Sequence, residues 1–170
     1  KPEVKKETQK QNKKEKPKLE VKRKNVDEII LPNLNLKTET VLNLFKDVEY
    51  DLGKVRSQKL VKPIYFTQFP RDLDALESTK LKKETFIKIV LPLIVAENER
   101  IIADRDKLNI LSKKKYTTDL EKQWLRQKLL EYKVKKGDLK ELSVRMDIIP
   151  TSIALAQAAK ESGWGTSRFA

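Results

Sequence analysis

The sequence predicts a mainly α-helical domain preceded by a disordered basic tail. Three observations carry that prediction: apolar residues recur at spacings of three and four through most of the chain after Thr38, helix-capping signals bracket several of those runs, and the first 24 residues hold almost no apolar side chains. The chain has 170 residues, a length suited to one domain with a tail, and a formal charge of +13. It contains no Cys and no His, which excludes zinc fingers, thiol nucleophiles and Ser-His-Asp triads. Its four glycines, at 53, 137, 163 and 165, cannot spell a dinucleotide fingerprint or a phosphate-cradling loop. No run of about 18 apolar residues is present.

Residues 1–24 carry 11 basic and 4 acidic side chains, a net +7, leaving +6 on the remainder. Too little apolar surface is available there to offset the entropy of ordering, so the segment reads as a disordered polybasic linker able to meet an anionic membrane or wall polymer. Residues 25–80 form a second unit, an N-terminal helix plus extended segments. Residues 25–37 are extended and interrupted by Pro32; from Thr38 a helix is predicted, with Val41, Leu42, Phe45, Val48, Leu52 and Val55 on one face. Val61–Phe69 is rich in β-branched and aromatic residues but contains Pro63 and is followed by Pro70, so it reads as extended chain packed on helices rather than part of a sheet.

Residues 81–170 form the third unit. Leu81–Leu111 has the longest helical pattern, interrupted by Pro92, which removes the bond to the Lys88 carbonyl and leaves either one kinked helix or two. Glu97 and Glu99, two residues apart, point to different helix faces, so they read as solvent charges rather than an acid–base pair. Thr118-Asp119-Leu120-Glu121 is a capping box, starting a helix to about Val134, with Trp124 on its apolar side and Gly137 as a left-handed stop. Asp138 caps a short helix through Leu139, Leu142 and Met146.

The last segment differs in composition. Pro150 and Gly163 bracket a helix whose Ile153, Ala154, Leu155, Ala156, Ala158 and Ala159 leave almost no polar face, so it is expected to be buried. Glu161 sits in its last turn, on a stripe with Ala158, Gln157 and Ala154. A helix C-terminus and apolar neighbours both favour the protonated carboxyl, the form a general acid uses to protonate a leaving sugar oxygen. The alternative is a carboxylate pointing to solvent or paired with Lys160 or Arg168. After it, Gly163 turns the chain, Trp164 can enter the core or line a cleft, and Gly165 permits close backbone packing.

The run from Pro150, PTSIALAQAAKESGWGTSRFA, resembles the signature of bacterial glucosaminidase domains, as found in flagellar muramidase-like hydrolases and in Bax-like bacterial proteins. Upstream, FPRDLDAL and KETFIKIVLPLIVAENERIIADRDKL resemble the Bax-like branch in particular. The resemblance implies a lysozyme-like helical fold, hydrolysis of β-1,4 bonds to N-acetylglucosamine in peptidoglycan, and Glu161 as catalytic acid. It also implies Ser162, Trp164 and Gly165 as substrate-binding or cleft-shaping residues, with glycan strands as partner and no metal or cofactor. Export to the cell envelope or periplasm follows from such a substrate, by a signal or anchor outside this chain, with no specific nucleic acid expected. Family members continue beyond the motif into the rest of the cleft. These 170 residues are therefore expected to be the N-terminal helical part only, truncated after the motif and inactive alone, with the last helix presenting apolar surface. Two other readings stay open: a lytic transglycosylase, and a non-enzymatic basic helical protein that binds an anionic polymer.

Overall fold

In the computed structural model, the described residues are 21–25, 27–32 and 35–167. Most of the 1–24 segment lies outside them. Among its described residues, Lys22–Arg23 is not a linker: it forms strand β1, held by pairing with Leu60–Val61 and by Glu99.

The protein is mainly helical. Six helices are described: α1 (Thr38–Asp47), α2 (Leu52–Gln58), α3 (Thr79–Leu111), α4 (Asp119–Glu131), α5 (Leu139–Arg145) and α6 (Thr151–Ser162). The single helix expected from Thr38 to Val55 is two. Glu49 adopts a left-handed conformation at φ 52°, the Tyr50 N–H returns to the Phe45 carbonyl at 2.8 Å, and the Asp51 carboxylate accepts from the Lys54 N–H at 2.8 Å, which starts α2 afresh. Apolar residues continue through the break because both helices contribute to one core, Val41 and Phe45 from α1 and Val55 from α2. Leu81–Leu111 is one helix with Pro92 inside it, extended at its start by the Ser78 hydroxyl accepting from Leu81 N–H.

The segment 61–69, expected outside any sheet, supplies strands β3 (Leu60–Val61) and β4 (Ile64–Phe66). β3 pairs in parallel with β1, Lys22 opposite Leu60; β4 pairs in parallel with β2 (Ile29–Leu31), Ile29 opposite Ile64. Pro63 sits between the two strands, where its missing N–H interrupts no ladder. The α1–α2 excursion is the crossover that parallel pairing requires.

Helix α3 is the spine. Its first half, through Ile89, Leu91 and Val95, closes a core with Val41, Phe45, Tyr50, Val55, Val61, Ile64 and Phe66. Its second half, through Ile101 and Leu108, closes another with Val134, Leu142 and Met146. Trp124 packs on this second core as expected, with Lys107 Nζ 4.5 Å from its ring centroid. The capping box at Thr118 is present in both directions: Glu121 N–H to Thr118 Oγ1 at 3.2 Å and Thr118 N–H to Glu121 Oε2 at 2.9 Å. Helix α4 ends earlier than expected, at Glu131. The stop is Lys133 at φ 52°, not Gly137, because the Val134 N–H reaches the Leu129 carbonyl at 2.8 Å and Val134 buries itself in the core. Buried Lys128 ties α4 to α3 by pairing with Asp104 at 2.7 Å, and pairs within its own helix with Glu131 at 2.8 Å. Among the described residues, no helix is long and apolar enough to cross a membrane.

Candidate active site

Helix α6 is pinned at its start by a buried side chain. Asn98, midway along α3, donates to the Ile149 carbonyl at 2.8 Å and accepts from the Ile149 N–H at 3.2 Å. From there, Thr151, Leu155, Ala159 and Ser162 recur at spacings of four and three along the side of α6 turned inward, with Thr151 and Ala159 buried and Leu155 on the first core. The remainder of the helix is not buried as its composition led us to expect. Ile153, Gln157 and Glu161 form an exposed stripe, and Ile153 is 57% exposed. Alanine is apolar but small, so composition overstates how much of such a helix must hide.

Glu161 is on that outward stripe. Its carboxylate accepts from Gln157 Nε2 at 3.0 Å, one turn back, and stands in solvent instead of among the apolar neighbours that its sequence position suggested. Glu97 and Glu99 of α3 lie on different sides, as their spacing required. Glu97 is exposed and pairs with Arg100 at 2.6 Å, but Glu99 is not the solvent charge expected, being partly buried and bonded to the Arg23 side chain and backbone N–H of β1. The Arg100 guanidinium holds the Glu97 carboxyl below the usual carboxylate range.

Past Glu161 the chain makes a tight left-handed turn. Gly163, Trp164 and Gly165 have φ of 57°, 61° and 78°. The Trp164 N–H closes on the Ala159 carbonyl at 2.9 Å, the Gly165 N–H on the Ser162 carbonyl at 3.1 Å, and the Ser167 N–H on the same carbonyl at 3.0 Å. Ser162 adds a side-chain tie, its hydroxyl donating to the Ala158 carbonyl at 2.7 Å and accepting from the Gly165 N–H at 3.0 Å. Ser162 is therefore a buttress of the turn. Trp164 is half-buried, edge-on to Phe86 at 5.5 Å between ring centroids, with Lys83 Nζ 4.9 Å from its own centroid. Gly165 is buried against the ring of Phe69, where a Cβ would lie 2.8 Å from a ring carbon.

Beside this turn is an open cleft of about 280 Å³, lined by Gln68, Phe69, Pro70, Arg71, Leu73 and Asp74 on one wall and Gly165, Thr166 and Ser167 on the other. Gly165 contributes to the cleft directly, whereas Trp164 faces α3 and Glu161 lies on the helix that leads into the turn. Two groups of sequence residues, FPRDLDAL and GWGTS, thus meet across one cleft. Phe69 and Phe86 as supports of the turn were not singled out from the sequence; the signal available was only the aromatic residue before Pro70. Among the described residues, no cluster of three His, Cys, Asp or Glu side chains suited to a metal ion is present.

No protein-family model matches the chain, and no solved structure does. The chain is similar to Protein bax of Escherichia coli strain K12. Identity is 38% over 108 residues, covering 58% of this chain and 38% of that protein. The similarity supports a Bax-like, bacterial relationship. The chain spans about 38% of the length of the curated relative it matches.

Proposed function

We propose that this Bax-like chain is part of a peptidoglycan-cleaving glycosidase, acting on β-1,4 bonds to N-acetylglucosamine with Glu161 as general acid. The observation that carries the reading is an accessible carboxylate in the last turn of α6, followed at once by a left-handed turn that forms one wall of an open cleft. A general acid must reach a leaving oxygen, and an outward carboxylate on a helix anchored at both ends can do so without moving the backbone. The bound glycan would have to exclude water from the carboxyl, since desolvation favours the neutral, proton-donating form. Ser162 and Gly165 would hold the turn, and Gly165 with Thr166 and Ser167 would face the sugar. The complete cleft, its second catalytic group and export to the cell envelope are parts of the same proposal.

The test is release of reducing sugar from purified peptidoglycan by the full-length protein and by Glu161→Gln. The reading predicts activity in the first and a loss of at least about 100-fold in the second; retained activity in the variant rejects Glu161. Products ending in anhydro-muramyl groups would instead make the protein a lytic transglycosylase, and wall binding without turnover would make it a binding protein.

A further inference from the structure

We propose that Phe69, 92 positions before Glu161 in the chain, is a positioning residue for that carboxylate. This rests on the reading of Glu161 as the general acid. Phe69 begins a loop that is held at two points just after it. The Asp72 carboxylate accepts from the Thr38 N–H at 2.8 Å and from its hydroxyl at 2.9 Å, tying the loop to the start of α1. Lys82 of α3 donates to the Asp74 carbonyl and carboxylate at 3.1 and 2.8 Å. Leu73, between these two ties, is buried.

The loop holds the Phe69 ring parallel to that of Phe86, with an interplanar angle of 9° and centroids 5.4 Å apart. Phe86 is fully buried and meets Trp164 edge-on, so Phe69 and Trp164 both pack on one ring enclosed by the core. Gly165 lies against Phe69 so closely that no side chain fits between them. Its N–H is bonded twice to Ser162, the residue next to Glu161. A shift of the Phe69 ring is therefore passed through Gly165 and Ser162 to the end of α6. The other end of α6 cannot follow, because Asn98 holds Ile149. Phe69 sets where the carboxylate stands without touching the substrate bond.

The experiment uses full-length protein labelled with 5-fluorotryptophan, the Trp164 resonance being assigned by its loss in Trp164→Phe. Phe69→Leu removes the ring, and Phe69→Tyr keeps it; Phe69→Met replaces the former if Phe69→Leu does not fold. Assays are run well below each variant's melting temperature. We expect Phe69→Leu to move the Trp164 fluorine resonance while leaving that of Trp124 in place, and to lower kcat on peptidoglycan by roughly 10- to 100-fold, with KM changed less than about threefold. Phe69→Tyr should restore kcat to within about threefold of wild type. An active wild type whose Phe69→Leu variant has an unmoved Trp164 resonance and unchanged kcat overturns the role of Phe69 alone. An equal rise in KM with unchanged kcat also overturns it. A wild type without turnover overturns the reading of Glu161 itself, and the catalytic role of Phe69 with it.

Discussion

Replacing Gly165 by Ala adds one methyl group where the chain has least room for it. The new Cβ would lie 2.8, 2.9 and 3.1 Å from Cδ1, Cε1 and Cγ of Phe69, well inside ordinary van der Waals contact. That ring is held by its stack on Phe86, so relief requires moving either the loop or the turn. Overpacking of this kind costs about 1–3 kcal/mol. The backbone at φ 78° adds about 1 kcal/mol for any L side chain. Two other glycines separate these contributions. Gly137, at φ 65°, has nothing within 4 Å of an added Cβ, and Gly163, at φ 57°, has its nearest neighbour at 3.7 Å, so each variant carries the backbone cost without the clash. Gly137→Ala and Gly163→Ala should each lower Tm by roughly 2–4 °C, and Gly165→Ala, at about 2–4 kcal/mol, by roughly 4–16 °C, followed by far-UV circular dichroism. In a Phe69→Ala background the extra cost at Gly165 should disappear, since the colliding ring is gone. A Gly165→Ala penalty within about 0.5 kcal/mol of the Gly137→Ala value would refute the argument.

Thr118→Ala breaks the reciprocal capping box of α4 and should cost about 1 kcal/mol by urea unfolding, with Glu121→Ala less than additive on top of it. Asn98→Ala removes both bonds to the Ile149 backbone from a buried position and should destabilise by about 2 kcal/mol, with faster amide exchange in α6. The Asp72 carboxyl is held below its usual range, chiefly by the Thr38 N–H that it accepts. A lowered folded value contributes stability that is complete above the ordinary carboxylate range of about 4 and is lost as pH falls through the folded value. Asp72→Asn should therefore flatten the acid side of the stability profile, measured as the urea midpoint between neutral pH and about pH 3; an unchanged acid slope would show that Asp72 is not the group responsible.

The parts of the fold that were legible are those set by neighbours in sequence. Thr118 and Glu121, three apart, make their box from local geometry alone, and Asp138 caps α5 through the N–H groups of Lys140 and Glu141. Gly163 ends α6 as its position implied. Other helix ends were not legible, because a residue without glycine's freedom was forced into the glycine conformation. Glu49 and Lys133 adopt it because Tyr50 and Val134, the residues that follow, are drawn into the core, a gain that outweighs about 1 kcal/mol of backbone strain. The first turn of α1 is likewise capped from a distance: Lys37 offers no side-chain acceptor, and Asp72 supplies one. The strands at 60–66 were missed because two parallel pairings of two and three residues leave no alternating pattern to read.

The candidate site divides in the same way. The motif ESGWG could be singled out from its residues, since a glutamate at a helix end between a small-residue helix and two glycines is unusual in a chain with only four glycines. What the turn rests on could not be. Phe69, Phe86 and Trp164 are far apart in sequence and come together only because α3 runs past both the 67–75 loop and the end of α6. By itself, the sequence determined the helical class, the local caps and the acidic residue that ends α6. Only the tertiary structure decided that this residue faces solvent, and that the turn after it packs on the Phe69 ring and lines a cleft, because burial and close packing depend on segments that local periodicity does not connect.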